Sequence, residues 1–217
     1  MLHTYSLPNF LANVIATPIL WFCMTLVAKT PDGYAGLGLY NAAYQWHGPL
    51  VFLPMILMTT SVPVLVQEWE GGRLGSFRKV VLSVFSLTLA LTVIPVVLLS
   101  ALGQEVMALY GPDFIEGWEL LVLFLVAAPF HAVSNIAAST LLAVNRAWLV
   151  LFANILWGIV LLSGTVVSLE EDGVTGLARS FLAAYVVQGL LMVALVYLRS
   201  FRQAKTWTAR AAGETEE

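Results

Sequence analysis

Ionisable side chains are scarce in this chain. Only 11% of its 217 residues are Asp, Glu, Lys or Arg, against about a quarter in a soluble domain. With 59% hydrophobic residues and a mean hydropathy of +0.86, the chain has too little polar surface to cover an apolar core in water. Cysteine is almost absent. The single Cys23 excludes an internal disulfide and carries no redox information. No Cys/His cluster has metal-ligand spacing and no glycine-rich phosphate loop follows a strand pattern. No metal, cofactor or catalytic residue is therefore expected, and no nucleic-acid partner.

The few charges divide the chain into six uncharged runs, 1–28, 33–67, 80–104, 120–145, 147–169 and 180–198. A helix needs about 20 apolar residues to cross a bilayer core, and each run reaches or approaches that length. The expected fold is an all-α membrane protein with six transmembrane helices near 9–28, 44–67, 80–102, 120–144, 147–169 and 176–198, so that residues 1–200 form one transmembrane unit and 201–217 a polar tail. Barrel strands would be about half as long and would alternate in polarity, which these runs do not.

Orientation follows from Lys and Arg. Arg73, Arg78, Lys79, Arg146, Arg199, Arg202, Lys205 and Arg210 fall on one side, eight of the ten basic residues. The opposite loops carry Asp32, then Glu105, Asp113, Glu116 and Glu119, then Glu170, Glu171 and Asp172. The basic side is expected to be cytoplasmic, with both termini there, in a cell membrane. The first run lacks the basic flank of a signal peptide and is long enough to span.

The connections are written in turn residues: Thr30-Pro31-Asp32-Gly33, a flexible Glu68 to Lys79 loop containing Gly71-Gly72, Tyr110-Gly111-Pro112-Asp113, and a tight Val144-Asn145-Arg146 hairpin. The stretch Tyr40 to His47 reads as an interfacial or outer extension of the second span. Pro18, Pro54, Pro63, Pro95 and Pro129 fall inside spans. Each removes a helical hydrogen bond, a density that suits bending transporter helices more than a passive anchor. No Asp or Glu lies within a span, so the usual carrier of ion coupling is lacking.

Five polar residues are candidates for contact with substrate. Arg179 is the one charge close to a membrane interior and suits an anionic head group; its alternatives are snorkelling or pairing with Glu170, Glu171 or Asp172. Asn41 and Gln45 are four apart and share a helix face; neutral amides suit sugar hydroxyls. His131 and Asn135 repeat that spacing just after Pro129, where they either bond between helices or line a wet cavity.

The order of motifs resembles the C-terminal half of polysaccharide and O-antigen flippases, the Wzx-like branch of the multidrug/oligosaccharidyl-lipid/polysaccharide exporter superfamily. The resemblance is carried by Leu7-Pro8-Asn9-Phe10-Leu11, Gly38-Leu39-Tyr40-Asn41-Ala42-Ala43-Tyr44-Gln45, Phe52-Leu53-Pro54, Leu109-Tyr110-Gly111-Pro112-Asp113-Phe114, Leu141 to Arg146, and Gly173 to Ala178 with Ala183-Ala184-Tyr185. It implies one lobe of a two-lobed exporter that rocks between inward-open and outward-open states and passes a lipid-linked saccharide across the membrane. The implied partners are that lipid-linked saccharide, membrane lipid and a second lobe, either an N-terminal half or another copy. A multidrug-type exporter lobe is the alternative within the superfamily. A membrane-embedded glycosyl or acyl transferase is the alternative outside it, but such an enzyme would want clustered acids or histidines at one membrane face.

Overall fold

The computed structural model describes residues 7–198; the tail assigned to 201–217 lies outside them. Every regular element among the described residues is helical: α1 (Leu7–Val14), α2 (Ala16–Ala28), α3 (Gly33–Tyr44), α4 (His47–Glu70), α5 (Leu74–Ala101), α6 (Gly103–Ala108), a 3-10 turn (Pro112–Gly117), α7 (Trp118–Ala143) and α8 (Ala147–Val196).

Proline explains why one span becomes two helices at the start. Pro18 has no N–H to bond the carbonyl four residues earlier, that of Val14. α1 ends at Val14, and Ile15 interrupts the ladder before α2. The other four span prolines behave differently: Pro54 and Pro63 lie inside α4, Pro95 inside α5 and Pro129 inside α7.

The second span is longer than composition indicated. The stretch Tyr40 to His47, expected as an extension of the second span, is mostly helical and packed. α3 runs through it to Tyr44, Tyr40 is fully buried, and α4 starts at His47 after a break at Gln45-Trp46. The Glu68 to Lys79 connection is likewise tighter than expected. Glu68 is still in α4, Arg78 and Lys79 are already in α5, and only Gly71, Gly72 and Arg73 lie between. Gly72 takes φ +66°, and Arg73 clamps Glu68 through two bonds of 2.9 and 3.0 Å.

α8 has 50 residues, about 75 Å if straight, more than twice the ~30 Å of a hydrocarbon core. It is two spans folded back on Gly173, which adopts φ 50°, ψ −121°, the backbone geometry of the first corner of a type II′ turn. Pairs on either side show the reversal: Gly164 meets Ser180, Gly176 meets Ser168, and Gln188 bonds Asn154. The acidic connection expected as a short loop thus shrinks to one glycine, and Glu170, Glu171 and Asp172 lie on helix. The described chain therefore has six spans.

α7 is the centre of the bundle. It packs on α3, α4, α5 and α8 and buries Leu121, Phe124, Leu125, Ala127, Ala128, Ala132 and Ala137 completely. The alanines let neighbours approach closely. Around it, side chains such as Phe22, Ile94, Val97, Phe152 and Leu190 are more than half exposed, as lipid-facing positions must be.

The ends separate by charge. Gly36 near the start of α3 lies against Val174 after the α8 turn, and Gly117 lies against Leu39, which gathers the acidic connections at one end. Trp69 and Glu70 of α4 line a depression with Val144 and Asn145, which gathers the basic connections at the other. Reporter fusions at Gly72 and Gly111 should therefore report opposite sides of the membrane, with Gly72 inside. The same side for both would break the six-span arrangement.

Candidate functional site: the seam between the first two spans

The first span, α1 and α2, packs on α8, and α4 packs on α5 and α7. Between the first and second spans a seam has α8 as its floor, joined by α7 toward the basic end. It widens into two cavities. Toward the acidic end, about 700 Å3 is lined by aromatic rings, Tyr34, Tyr44, Trp157, Phe181 and Tyr185, with Asn41 at its wall. Toward the basic end, about 490 Å3 is lined by Thr59, Ser134, Asn135, Ser139, Asn154 and Gln188 among alanine, methionine and valine.

The polar floor of the second cavity is braced. Gln188 donates through Nε2 to Asn154 Oδ1 at 2.7 Å, and Asn154 donates through Nδ2 to the carbonyl of Ala12 at 2.8 Å. Ala12 precedes the break at Ile15, so Asn154 ties that weak point of the first span to both halves of α8. The Ser134 hydroxyl is buried without a partner. An unsatisfied hydroxyl at membrane depth is costly unless something polar enters beside it.

Between the cavities stands a column of four rings. Tyr44 stacks on His47 at 5.6 Å and 13°, His47 and His131 lie edge to edge and near-coplanar at 5.3 Å and 15°, and His131 stacks on Tyr185 at 4.3 Å and 25°. His47 Nδ1 lies 2.9 Å from the Phe124 carbonyl and His47 Nε2 lies 3.0 Å from His131 Nδ1. Phe124 and Phe181 meet these rings edge-on, the geometry that ring quadrupoles favour.

The residues chosen from sequence separate into groups. Asn135 lines the polar cavity and His131, one turn earlier on α7, joins the ring column; Asn41 reaches the aromatic cavity. Gln45 lies beyond the end of α3, its Oε1 3.5 Å from the Tyr110 hydroxyl, and lines neither cavity. Arg179 also lines neither. Its Nη1 is 2.9 Å from Asp172 Oδ2 across the α8 turn, with 57% of the side chain exposed. Sequence reasoning missed His47, Asn154, Gln188 and Tyr185. The signal for the amides was their antiparallel register about Gly173, invisible while Gly173 was read as part of a loop.

No family model matches the chain. It is 26% identical over 147 residues to the EPS I polysaccharide export inner membrane protein EpsE of Ralstonia nicotianae, a match covering 66% of this chain and 33% of that protein. It is 24% identical over 186 residues to the protein of the same name from Ralstonia solanacearum, covering 83% of this chain and 42% of that one. The chain thus spans about a third to two-fifths of the length of the curated relatives it matches. Its fold is that of part of a solved multidrug resistance MATE family transporter of the MOP superfamily in an outward-facing conformation, with TM-score 0.77, 18% identity and coverage of 93% of this chain and 45% of that one. The structural likeness is one of fold, and it spans less than half of that transporter. The proteins these likenesses name are transporters, not enzymes.

Proposed function

We propose that this chain is one lobe of a polysaccharide exporter, that its seam is half of the translocation cavity, and that its cargo is a lipid-linked saccharide. The observation that carries the reading is the seam itself: a groove with an amide and hydroxyl floor, flanked by a first span interrupted near Pro18 and by α4, which carries Pro54 and Pro63. Neutral donors and acceptors suit sugar hydroxyls, and the aromatic half offers rings to the apolar faces of pyranoses. A second lobe closes the groove, and rocking of the two bodies about the shared cavity alternates access. Asn41, His131 and Asn135 act from the seam, with Asn154 and Gln188 bracing its floor. Gln45 and Arg179 belong to the rim at the acidic end, where the exposed guanidinium can meet an anionic head group as it arrives or leaves. The basic side is cytoplasmic in this reading, and the membrane is the inner one, as the names of the two polysaccharide export proteins say of them.

In the native host, deleting the gene should abolish surface polysaccharide, and the wild-type gene should restore it. Asn135→Leu should cut exported polysaccharide about tenfold, the weight of one lost hydrogen-bonding group at about 1.4 kcal/mol, with protein level unchanged. Arg179→Ala should reduce export and Arg179→Lys should retain part of it, because either cation can meet a phosphate. Undiminished polysaccharide after deletion would remove the proposal.

A further inference from the structure

The two histidines of the ring column have a role that saccharide binding leaves unassigned. The tautomers follow from the partners. A carbonyl only accepts, so His47 carries its proton on Nδ1 to bond Phe124 O at 2.9 Å. In the neutral ring His47 Nε2 is then a bare lone pair, and the 3.0 Å contact to His131 Nδ1 requires His131 to donate. That leaves His131 Nε2 as the open end of the chain. Among the described residues no hydrogen bond reaches it, and His131 is only half-buried.

A proton added at His131 Nε2 keeps both existing bonds. The link from His131 to His47 becomes charge-assisted and shorter. A second proton has nowhere to go, because the 3.0 Å gap between the rings holds one hydrogen, and a second would set two N–H groups head to head. Burial opposes any charge here. The ends of the column oppose that penalty: the faces of Tyr44 and Tyr185 cap the two imidazoles in near-parallel stacks, and the electron-rich face of a phenol attracts a cation.

Among the described residues, the titratable side chains in ring contact with the pair are Tyr44 from α3 and Tyr185 from α8, with Tyr40 behind Tyr44, while α7 adds only His131 itself. None of the described acidic or basic side chains bonds either ring. The position is also particular. His47 opens α4 directly after the α3–α4 break, and His131 follows Pro129 of α7 by two residues, so the pair bridges two helix irregularities.

We propose that His47 and His131 together form a binding site for a single proton, entered at His131 Nε2 and shared along the bond between the rings. The proposal stands independently of the identity of the cargo. It also places a titratable pair within α4 and α7, whose own carboxylates, Glu68, Glu70 and Glu119, sit at the helix ends.

The test is histidine 15N nuclear magnetic resonance on the full chain in lipid nanodiscs, selectively labelled, with His3→Gln removing the third histidine. At about pH 8 both rings should show the Nδ1–H tautomer. Lowering the pH toward about 5, the window of histidine chemistry, should shift both rings together in one step totalling one proton. His47→Phe should leave His131 to titrate alone and at a different midpoint. Two results would each overturn the proposal: both rings staying neutral throughout, or each ring taking a proton of its own. Loss of polysaccharide export with normal one-proton uptake would touch only the cargo reading above.

Discussion

Gly176→Leu should prevent the last two spans from closing on each other. The hairpin in α8 is held by a repeated pattern: Gly164 and Ser168 on one half face Gly176 and Ser180 on the other. Each serine returns its hydroxyl to the glycine carbonyl one turn earlier in its own half, at 2.8 and 2.7 Å, and so presents a compact, satisfied surface to the glycine opposite. A Cβ on Gly176 would lie 2.7 Å from Ser168 Cβ and 3.0 Å from the Ser168 backbone oxygen. Backbone cannot swing away as a flexible side-chain tip can, so the halves must part. Overpacking of this kind costs about 1–3 kcal/mol, and parting the halves also loosens the Asn154–Gln188 bond further along the hairpin. Gly173→Val adds strain of about 1–3 kcal/mol at φ 50°. The double variant should lose its folded peak in size-exclusion profiles after mild heating in detergent. Gly75→Leu, where an added Cβ meets nothing within 4 Å, serves as the control. A double variant as heat-resistant as Gly75→Leu would show that the glycine–serine pattern does not hold the hairpin.

That hairpin also marks where the sequence stops being readable. Six uncharged runs are a strong signal, because hydrocarbon excludes charge along the whole length of a span, and their number and order match the six spans, with α8 counted as two. The ends of helices obey weaker rules. Glu68, Arg78 and Lys79 are charged yet helical, since a helix continues into the headgroup region where water satisfies its side chains. Glu170 to Asp172 look like a loop for the same reason, although one glycine makes the turn. The site is less legible still. His131 and Asn135 stand out because polar groups are rare in a span, and both reach the interior of the lobe. His47, 84 positions from His131, announces nothing, because its importance comes from the α3–α4 break meeting α7 close to Pro129. Arg179 stands out for its charge, and the nearest opposite charge, Asp172, takes one of its nitrogens. Pairing with Glu170, Glu171 or Asp172 is legible as an alternative; the register of the turn selects Asp172.

Vesicles containing only this chain should not translocate a lipid-linked saccharide. In the proposed function the seam is one wall of a cavity, and its polar floor is satisfied only in part: Ser134 Oγ is buried without a partner, while Asn41 is exposed. Facing lipid, such groups would lack donors and acceptors, each at a cost of several kcal/mol in hydrocarbon. A lone lobe therefore either draws lipid headgroups and water into the seam or covers it with another copy of itself. Neither arrangement supplies two bodies that rock about a shared site, which alternating access requires. Purified alone, the chain should insert, give helical circular dichroism and leave a fluorescent lipid-linked saccharide at the flip rate of protein-free vesicles. Adding a matching second lobe should raise that rate at least tenfold, and Asn135→Leu in the reconstituted pair should lower it again. Cross-linking before reconstitution separates the outcomes. Transport by a covalently closed homodimer would identify the second lobe as another copy of this chain. Rapid translocation by a verified monomer would sink the half-cavity reading, because one lobe would then be carrying the cargo along its own lipid-facing groove.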